Sequence, residues 1–257
     1  MAQLFRPYSN TAARASVLSL AILPWIVFYG ASTITRGPLN TKQDVPLNQP
    51  VPFSHRHHAY ELGIDCRYCH VSVEKGPTAS IPPTETCMSC HSQIWTNSPL
   101  LEPVRRSYET QTPITWSNGD VGWNKVNHVP EFVYFNHSIH IARGINCNQC
   151  HGPIQKMPIT WKGQQFAMAW CLECHREPEK YLYRDPDTQY NNLTPQDEAF
   201  LPYYKIQEGL PLTPKQQALA DGESYEPSAE EISAGKTLVE RYKVKQAQLT
   251  DCWVCHR

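Results

Sequence analysis

No excess of charge of either sign marks this chain. Its 23 lysines and arginines stand against 24 aspartates and glutamates, a formal net charge of -1 over 257 residues. A nucleic-acid partner, which selects a basic surface, is therefore not indicated. Glycine and proline, at 12 and 22 residues, are too scarce for a low-complexity chain. No cysteine precedes Cys66, so no thiol is available for an N-terminal lipoprotein anchor. No acidic residue occurs before Asp44, and no charge lies between Arg14 and Arg36. Nor is any cysteine left over from a pair. Cys66, Cys69, Cys87, Cys90, Cys147, Cys150, Cys171, Cys174, Cys252 and Cys255 form five C-x-x-C units, each followed at once by histidine: His70, His91, His151, His175 and His256.

C-x-x-C-H is the attachment signature of c-type haem. The thiols form thioethers with the haem vinyl groups, and the next residue places its imidazole under the iron. Positions i, i+3 and i+4 share one side of a helical turn, so the chemistry needs this spacing and little else. Structural zinc, the plain alternative, joins two C-x-x-C units in a four-thiolate site. It would strand a fifth unit and does not call for a histidine after each pair. With 11 histidines in 257 residues, five such placements by chance have a probability on the order of 10⁻⁷. Disulfides across C-x-x-C suit a redox enzyme, though hardly five times over. The expectation is five covalently attached haems. Because c-type haem is attached outside the cytoplasm, the motifs also set the compartment.

The charge-free run from Ala15 to Thr35 is 21 residues long. At about 1.5 Å per residue it spans roughly 30 Å, the thickness of a hydrocarbon core. Pro24 would kink such a helix, which membranes tolerate. Tyr29-Gly30-Ala31 is a poor signal-peptidase site, so the run is expected to stay as a single anchor in the cytoplasmic (inner) membrane. Arg6 and Arg14 precede it, while Arg36 and Lys42 follow and weaken the positive-inside signal. The haems decide orientation: N-terminus inside, the remainder on the periplasmic side.

The rest of the chain contains a duplication. Phe53-Ser54-His55-Arg56-His57-His58 precedes Gly63-Ile64-Asp65-Cys66, and Phe135-Asn136-His137-Ser138-Ile139-His140 precedes Gly144-Ile145-Asn146-Cys147. Each copy reads F-x-H-x-x-H, a spacer, G-I-[DN]-C-x-x-C-H, then a second haem motif. The expected organisation is a cytoplasmic N-terminus and anchor at 1–36, a Pro-rich tether at 37–52, and dihaem modules at 53–91 and 135–175 joined by a connector at 92–134. A haem-free docking arm at 176–251 and a C-terminal haem motif at 252–257 complete it. In the arm, Thr194-Pro195 and Thr213-Pro214 pair a capping residue with proline at the first helical position. Gly222 can end the second helix, and Ser228 with Glu231 forms a capping box. The fold class expected is mainly α with extensive loops, the haems serving as core, and little or no sheet.

The proximal iron ligands are His70, His91, His151, His175 and His256. His55 with His58, and His137 with His140, are expected to fill distal positions, because the same i, i+3 pair follows a phenylalanine in both copies. His57 has no counterpart, Ile139 standing in its place, and reads as a surface histidine. Four distal histidines leave one iron over. Met168, three residues before Cys171, is preferred to His128 for it. Met157 is a weaker candidate, and Met88, inside its own C-x-x-C loop, reads as packing.

The stretches PFSHRHHAYELGIDCRYCH (52–70), FVYFNHSIH (132–140), AMAWCLECHREP (167–178) and LTDCWVCHR (249–257) resemble the membrane-anchored pentahaem cytochrome c subunit of alternative complex III, a quinol:electron acceptor oxidoreductase. The resemblance implies a subunit that is not catalytic alone and that passes electrons within a respiratory or photosynthetic complex. It implies as partners a large iron–sulfur, molybdopterin-enzyme-like subunit and polysulfide-reductase-like quinol-binding membrane subunits. It also implies a monohaem cytochrome c, and a soluble cytochrome c, blue-copper protein or oxidase as acceptor. Two positions depart from the family: Ala169 stands where glycine is common, and Asn127 where histidine is frequent, making His128 a displaced neighbour. Two other functions compete. A catalytic multihaem reductase would need an open sixth position, which the supply of ligands here can close. A tetrahaem quinol dehydrogenase differs in haem count and lacks the arm.

Overall fold

The charge-free stretch is helical. In the computed structural model, which describes residues 5–116 and 118–256, α1 runs Ser9–Arg36 and continues through Pro24. It overruns the apolar run at both ends, where alanine, serine, threonine and asparagine still allow helix. It is long and apolar enough to cross a membrane, and Leu18, Leu20, Trp25 and Phe28 on it are exposed. Gly37 breaks it, and a short α2, Pro38–Thr41, follows. These elements form one unit, ending at Gln43, and residues from Asp44 onward form a second.

The second unit is helices and loops without a sheet. Among the described residues β pairing takes the form of isolated bridges, such as Thr115–Val121 and Val133–His256. A π-helical turn spans Arg56–Glu61. Then come α3 Cys66–Cys69, α4 Thr84–His91, α5 Glu102–Thr110, α6 His137–Ile141, α7 Cys147–His151 and α8 Met168–Arg176. The arm supplies α9 Pro195–Glu198, α10 Leu201–Gln207, α11 Pro214–Asp221 and α12 Ala229–Arg241. The last element is α13, Cys252–Cys255.

The arm helices start and stop where their capping residues dictate. Thr194, Thr213 and Ser228 each accept the N–H three residues on, and Asp197, Gln216 and Glu231 reach back to the cap N–H. Gly222 closes α11 in the left-handed region at φ 79°. Inside, Asp185 accepts hydrogen bonds from Lys205 Nζ at 2.7 Å and Gln216 Nε2 at 2.8 Å, and Asp185 and Lys205 are both buried.

The side-chain core is small and touches the cysteine turns. One cluster gathers Val73, Ile141, Ala199, Phe200 and Tyr203, with Cys66, Cys147 and Tyr204 against it. The other gathers Val51, Leu101, Val104 and Ile114, with Cys87, Met88 and Trp123 against it. Met88 is thus packing, as its place in the motif suggests.

Two expectations change. The Pro-rich segment is not a free tether beyond Asp44. Asp44 and Leu47 donate N–H to the carbonyls of Lys162 and Thr160, and Val51 is buried, because prolines spaced apart leave the intervening N–H groups free to pair. The apolar residues that suggested a docking arm point inward. Phe200, Leu201 and Tyr203 are 1%, 3% and 7% exposed, and Phe200 and Tyr203 pack with the cysteines of this chain's own turns.

Candidate haem-binding sites

Each C-x-x-C pair lies on a single helical turn: in α3, α4, α7, α8 and α13. None of the ten thiols is in a disulfide. The duplicated G-I-[DN] has a local reason. Gly63 and Gly144 turn the chain at φ 69° and 78°, a conformation that favours glycine. Asp65 and Asn146 then cap α3 and α7, their side chains accepting from Arg67 N–H and Asn148 N–H.

The histidines meet in pairs across the fold. His55 faces His70 with ring centroids 6.4 Å apart, and His58 faces His91, His137 faces His151 and His140 faces His175, each at 6.2 Å. A metal–imidazole bond is about 2 Å and the ring centroid lies about 1.1 Å behind the ligating nitrogen, so two rings on one metal have centroids about 6.2 Å apart. The gap in every pair therefore fits one iron. Planes are near parallel in three pairs, at 14°, 3° and 20°, and crossed at 68° in His58–His91.

Hydrogen bonds set the tautomer. A carbonyl can only accept, so an Nδ1 bonded to one carries the proton and leaves the Nε2 lone pair free for a metal. His70, His91, His175 and His256 donate to the carbonyls of Ser80, Ile94, Leu249 and Phe132. His58, His137 and His140 donate to those of Ser54, Pro77 and Asn136, while His55 Nδ1 meets Thr160 Oγ1 at 3.0 Å. Burial pushes the pKa of His55 down to about 4, helped by His70, His151 and His58. Burial does the same for His151, helped by His137 and His70. His58, His137 and His140 are also lowered, burial again the largest cause. Each shift favours the neutral ring, the form that binds metal.

His57 differs. It lies at the surface against Glu61 Oε2 at 3.1 Å, with its neighbour His58 edge-on, so the surface reading stands. Among the described residues no three of His, Cys, Asp and Glu converge to hold a metal ion. At each of the four paired turns the protein thus offers two imidazoles, which suits an iron whose other four ligands come from a porphyrin and not a four-thiolate zinc site. Exposed apolar side chains flank the turns: Tyr68, Ile94, Ile139 and Trp253, surface a porphyrin face can cover.

Sequence reasoning missed what the motif phenylalanines do. Phe53 is edge-on to His55 at 5.0 Å and stacked on His58 at 4.5 Å. Phe135 repeats this with His137 at 4.8 Å and His140 at 4.6 Å. One ring orients two histidines, and its recurrence in F-x-H-x-x-H was the available signal. The fifth turn has no opposing imidazole among the described contacts; Phe132 stacks on His256 at 5.8 Å. Met168 opens α8 and is 60% exposed. His128 is exposed in the connector. Met157 is fully buried, with its methyl group towards Gly152.

Neighbouring turns adjoin. Burial first, and then Cys147, raises the Cys66 thiol. Burial and then Cys90 raise Cys69. Burial and then Cys174 push Cys150 up to about 12, and burial and then Cys255 raise Cys171.

A helical, sheet-free chain whose cysteine turns are each followed by a histidine has the architecture of a multihaem cytochrome c domain. Residues 133–196 match the family described as cytochrome c7 and related cytochrome c. The multihaem cytochrome c subunit of menaquinone reductase from Nitratidesulfovibrio vulgaris is 36% identical over 103 residues, which is 40% of this chain and 45% of that protein. The chain therefore spans less than half the length of this curated relative. Covalently bound c-type haem follows from the motifs and the family match together.

Proposed function

We propose that this chain is the pentahaem electron-transfer subunit of a membrane-bound quinol-linked complex of the alternative complex III kind, not catalytic alone. Bound haem supplies one-electron redox chemistry; the chain supplies ligands, spacing and order. The observation that carries the reading is the four opposed histidine pairs, each with one iron's width between them. In it the proximal ligands are His70, His91, His151, His175 and His256, and the distal ligands are His55, His58, His137 and His140. The ten cysteines carry the thioethers.

The fifth distal ligand is Met168. With four histidine pairs made, His256 is the proximal ligand left over. His175, on α8, donates to the Leu249 carbonyl just before the Cys252 turn, and Met168 lies one turn before Cys171 on the same helix, on the same side. The neighbouring turns also give the sites an order. Tyr68 Oη lies 2.8 Å from Ser89 Oγ, joining the Cys66 and Cys87 turns, and Cys66 and Cys147 pack on one cluster. His137 and His140, one turn apart, face His151 and His175 of the Cys147 and Cys171 turns, and His175 donates to the Leu249 carbonyl just before Cys252. This single row has the site at Cys252 at one end.

α1 anchors the chain in the cytoplasmic membrane with the N-terminus inside and the haem unit in the periplasm. Partners are a large iron–sulfur, molybdopterin-like subunit, polysulfide-reductase-like quinol-binding subunits and a monohaem cytochrome c. A soluble cytochrome c, blue-copper protein or oxidase accepts the electrons. The relative's name supports a quinone-linked complex. The deciding experiment is purification of the tagged chain from membranes in mild detergent. It should carry five haems, all low-spin, and a large iron–sulfur subunit with it. High-spin haem in the untouched protein, or purification without an iron–sulfur partner, would overturn the reading.

A further inference from the structure

The turns at Cys66 and Cys147 are copies of one motif, and one segment of the arm grips both. Tyr204 donates its hydroxyl to Asp65 Oδ2 at 2.6 Å, and Tyr203 donates to Asn148 Oδ1 at 2.8 Å. Asp65 caps the first turn, and Asn148 follows Cys147 in the second. Asn146, the second turn's cap, donates from Nδ2 to the Ala199 carbonyl at 2.6 Å. Arg67, which follows Cys66 as Asn148 follows Cys147, lies over the Phe200 ring at 4.6 Å and hydrogen-bonds the Tyr204 hydroxyl. Even the motif glycines answer each other. A Cβ on Gly144 would meet the Pro195 carbonyl, at the start of α9, and one on Gly63 would meet Gln207, at the end of α10.

Pro195–Gln207 therefore runs from the second copy to the first, with Phe200 buried between them. Successive residues on a helix point about 100° apart, so Tyr203 and Tyr204 can each reach a different turn. A separate link joins the copies elsewhere: His137 and Ser138 donate N–H to the carbonyls of Pro77 and Gly76. One such link leaves two bodies free to pivot, and a second fixes their tilt.

We propose that Pro195–Gln207 is a positioning strut for the haem sites at the Cys66 and Cys147 turns, with Tyr203 and Tyr204 as its positioning residues. It sets the separation and tilt of the Cys66–His70 and Cys147–His151 turns, and with them the electronic contact between the second and third sites of the row. The proposal rests on the pentahaem reading above. The test uses the full chain in detergent, with haem counted by pyridine haemochrome absorbance and spins followed by electron paramagnetic resonance. Wild type is compared with Y203F, Y204F, the double variant, and Y225F, whose hydroxyl bonds Glu231 elsewhere on the arm.

All four variants should keep the wild-type haem count. The wild type should show magnetic coupling between the low-spin haems of the Cys66 and Cys147 turns, and this coupling should be lost in the double variant and kept in Y225F. Each single variant should shift the midpoint potential of one haem, a different haem in each. Unchanged coupling in the fully loaded double variant, or equal loss in Y225F, overturns the proposal. Should the double variant lose haem, Y204F decides: its hydroxyl is at a half-buried site, and an unmoved potential there overturns the proposal. Failure of the pentahaem reading is distinguishable, since it puts high-spin iron in the wild type.

Discussion

A histidine held at Nδ1 by a carbonyl cannot turn its ring without losing that bond, so each such side chain is a preset Nε2 donor. Replacing His58 or His140 with alanine should leave every haem attached, because the thioethers are untouched, yet convert one iron to high spin in the absorption spectrum; a fully low-spin variant with no substitute ligand would refute the pairing. Parallel imidazoles donate into the same iron d orbital and split the set, while crossed ones donate evenly and leave it nearly degenerate. The 68° cross of His58 and His91 should therefore give one markedly anisotropic low-spin resonance, lost in His58→Ala. For the odd haem, Met168→Ala should abolish the weak long-wavelength band of ferric iron–thioether bonding, and His128→Ala should preserve it. A wild type without that band, with high-spin iron only in His128→Ala, would make His128 the ligand. That His55, His58, His137 and His140 act as a set was legible in the sequence because the same F-x-H-x-x-H occurs twice. Their partners were not. His58 meets His91 and His140 meets His175 only after the chain folds, and nothing in local spacing says which of two nearby rings takes which turn.

Helix boundaries in the arm were legible because caps are local chemistry: Thr194, Thr213, Ser228 and Gly222 act within four residues of themselves. The π-helical turn at Arg56–Glu61 was not legible, since its cause is the tertiary placement of His55 and His58, and such turns cluster at functional sites. Nor was the use of Gly235. Its Cα packs so tightly on the backbone of the Pro178–Lys180 turn that an added Cβ would overlap the Glu179 carbonyl. Gly235→Ala should cost about 1–3 kcal/mol in thermal or denaturant unfolding, the usual range for overpacking; an unchanged midpoint would mean α12 does not seat there. Glu198 sets a pH dependence on α9. Burial raises its carboxyl to about 7, with Arg184 and Lys205 opposing and the Asp185 charge adding to the rise. Its Oε1 has no hydrogen bond, with Arg184 Nε 3.8 Å away. Between pH 4.5, its ordinary value, and about 7 the folded state holds a proton that the unfolded chain has released. Stability from this group is thus fullest below that window and falls as pH rises through it, by about 3 kcal/mol in all. Glu198→Gln should flatten that slope in unfolding experiments, and an unchanged slope would remove Glu198 as its source.

Within the unit from Asp44 onward, residues of the arm pack on the cysteine turns at Cys66 and Cys147. Deleting residues 1–36 behind a cleavable signal should give a soluble haem protein in the periplasmic fraction; a deletion product that stays in the membrane would mean the haem unit has its own lipid contact. Because Phe200, Leu201, Tyr203 and Ala220 are buried in this chain, α9 to α11 should resist limited proteolysis in the isolated subunit, before any partner is added. Rapid cleavage there would show that the packing needs another chain. The strut also has a place in time. Polypeptides are made, and their parts fold, from the N-terminus onward, and Tyr203 and Tyr204 come later in the chain than both turns they grip. The turns at Cys66 and Cys147 thus emerge before the hydroxyls that bond Asp65 and Asn148 can dock. Haem attached at those turns during synthesis would meet open thiols, with the latch closing afterwards. A chain with the strut moved ahead of Cys66 would present those thiols already shielded, so the order of the segments is itself part of how the protein comes to be assembled.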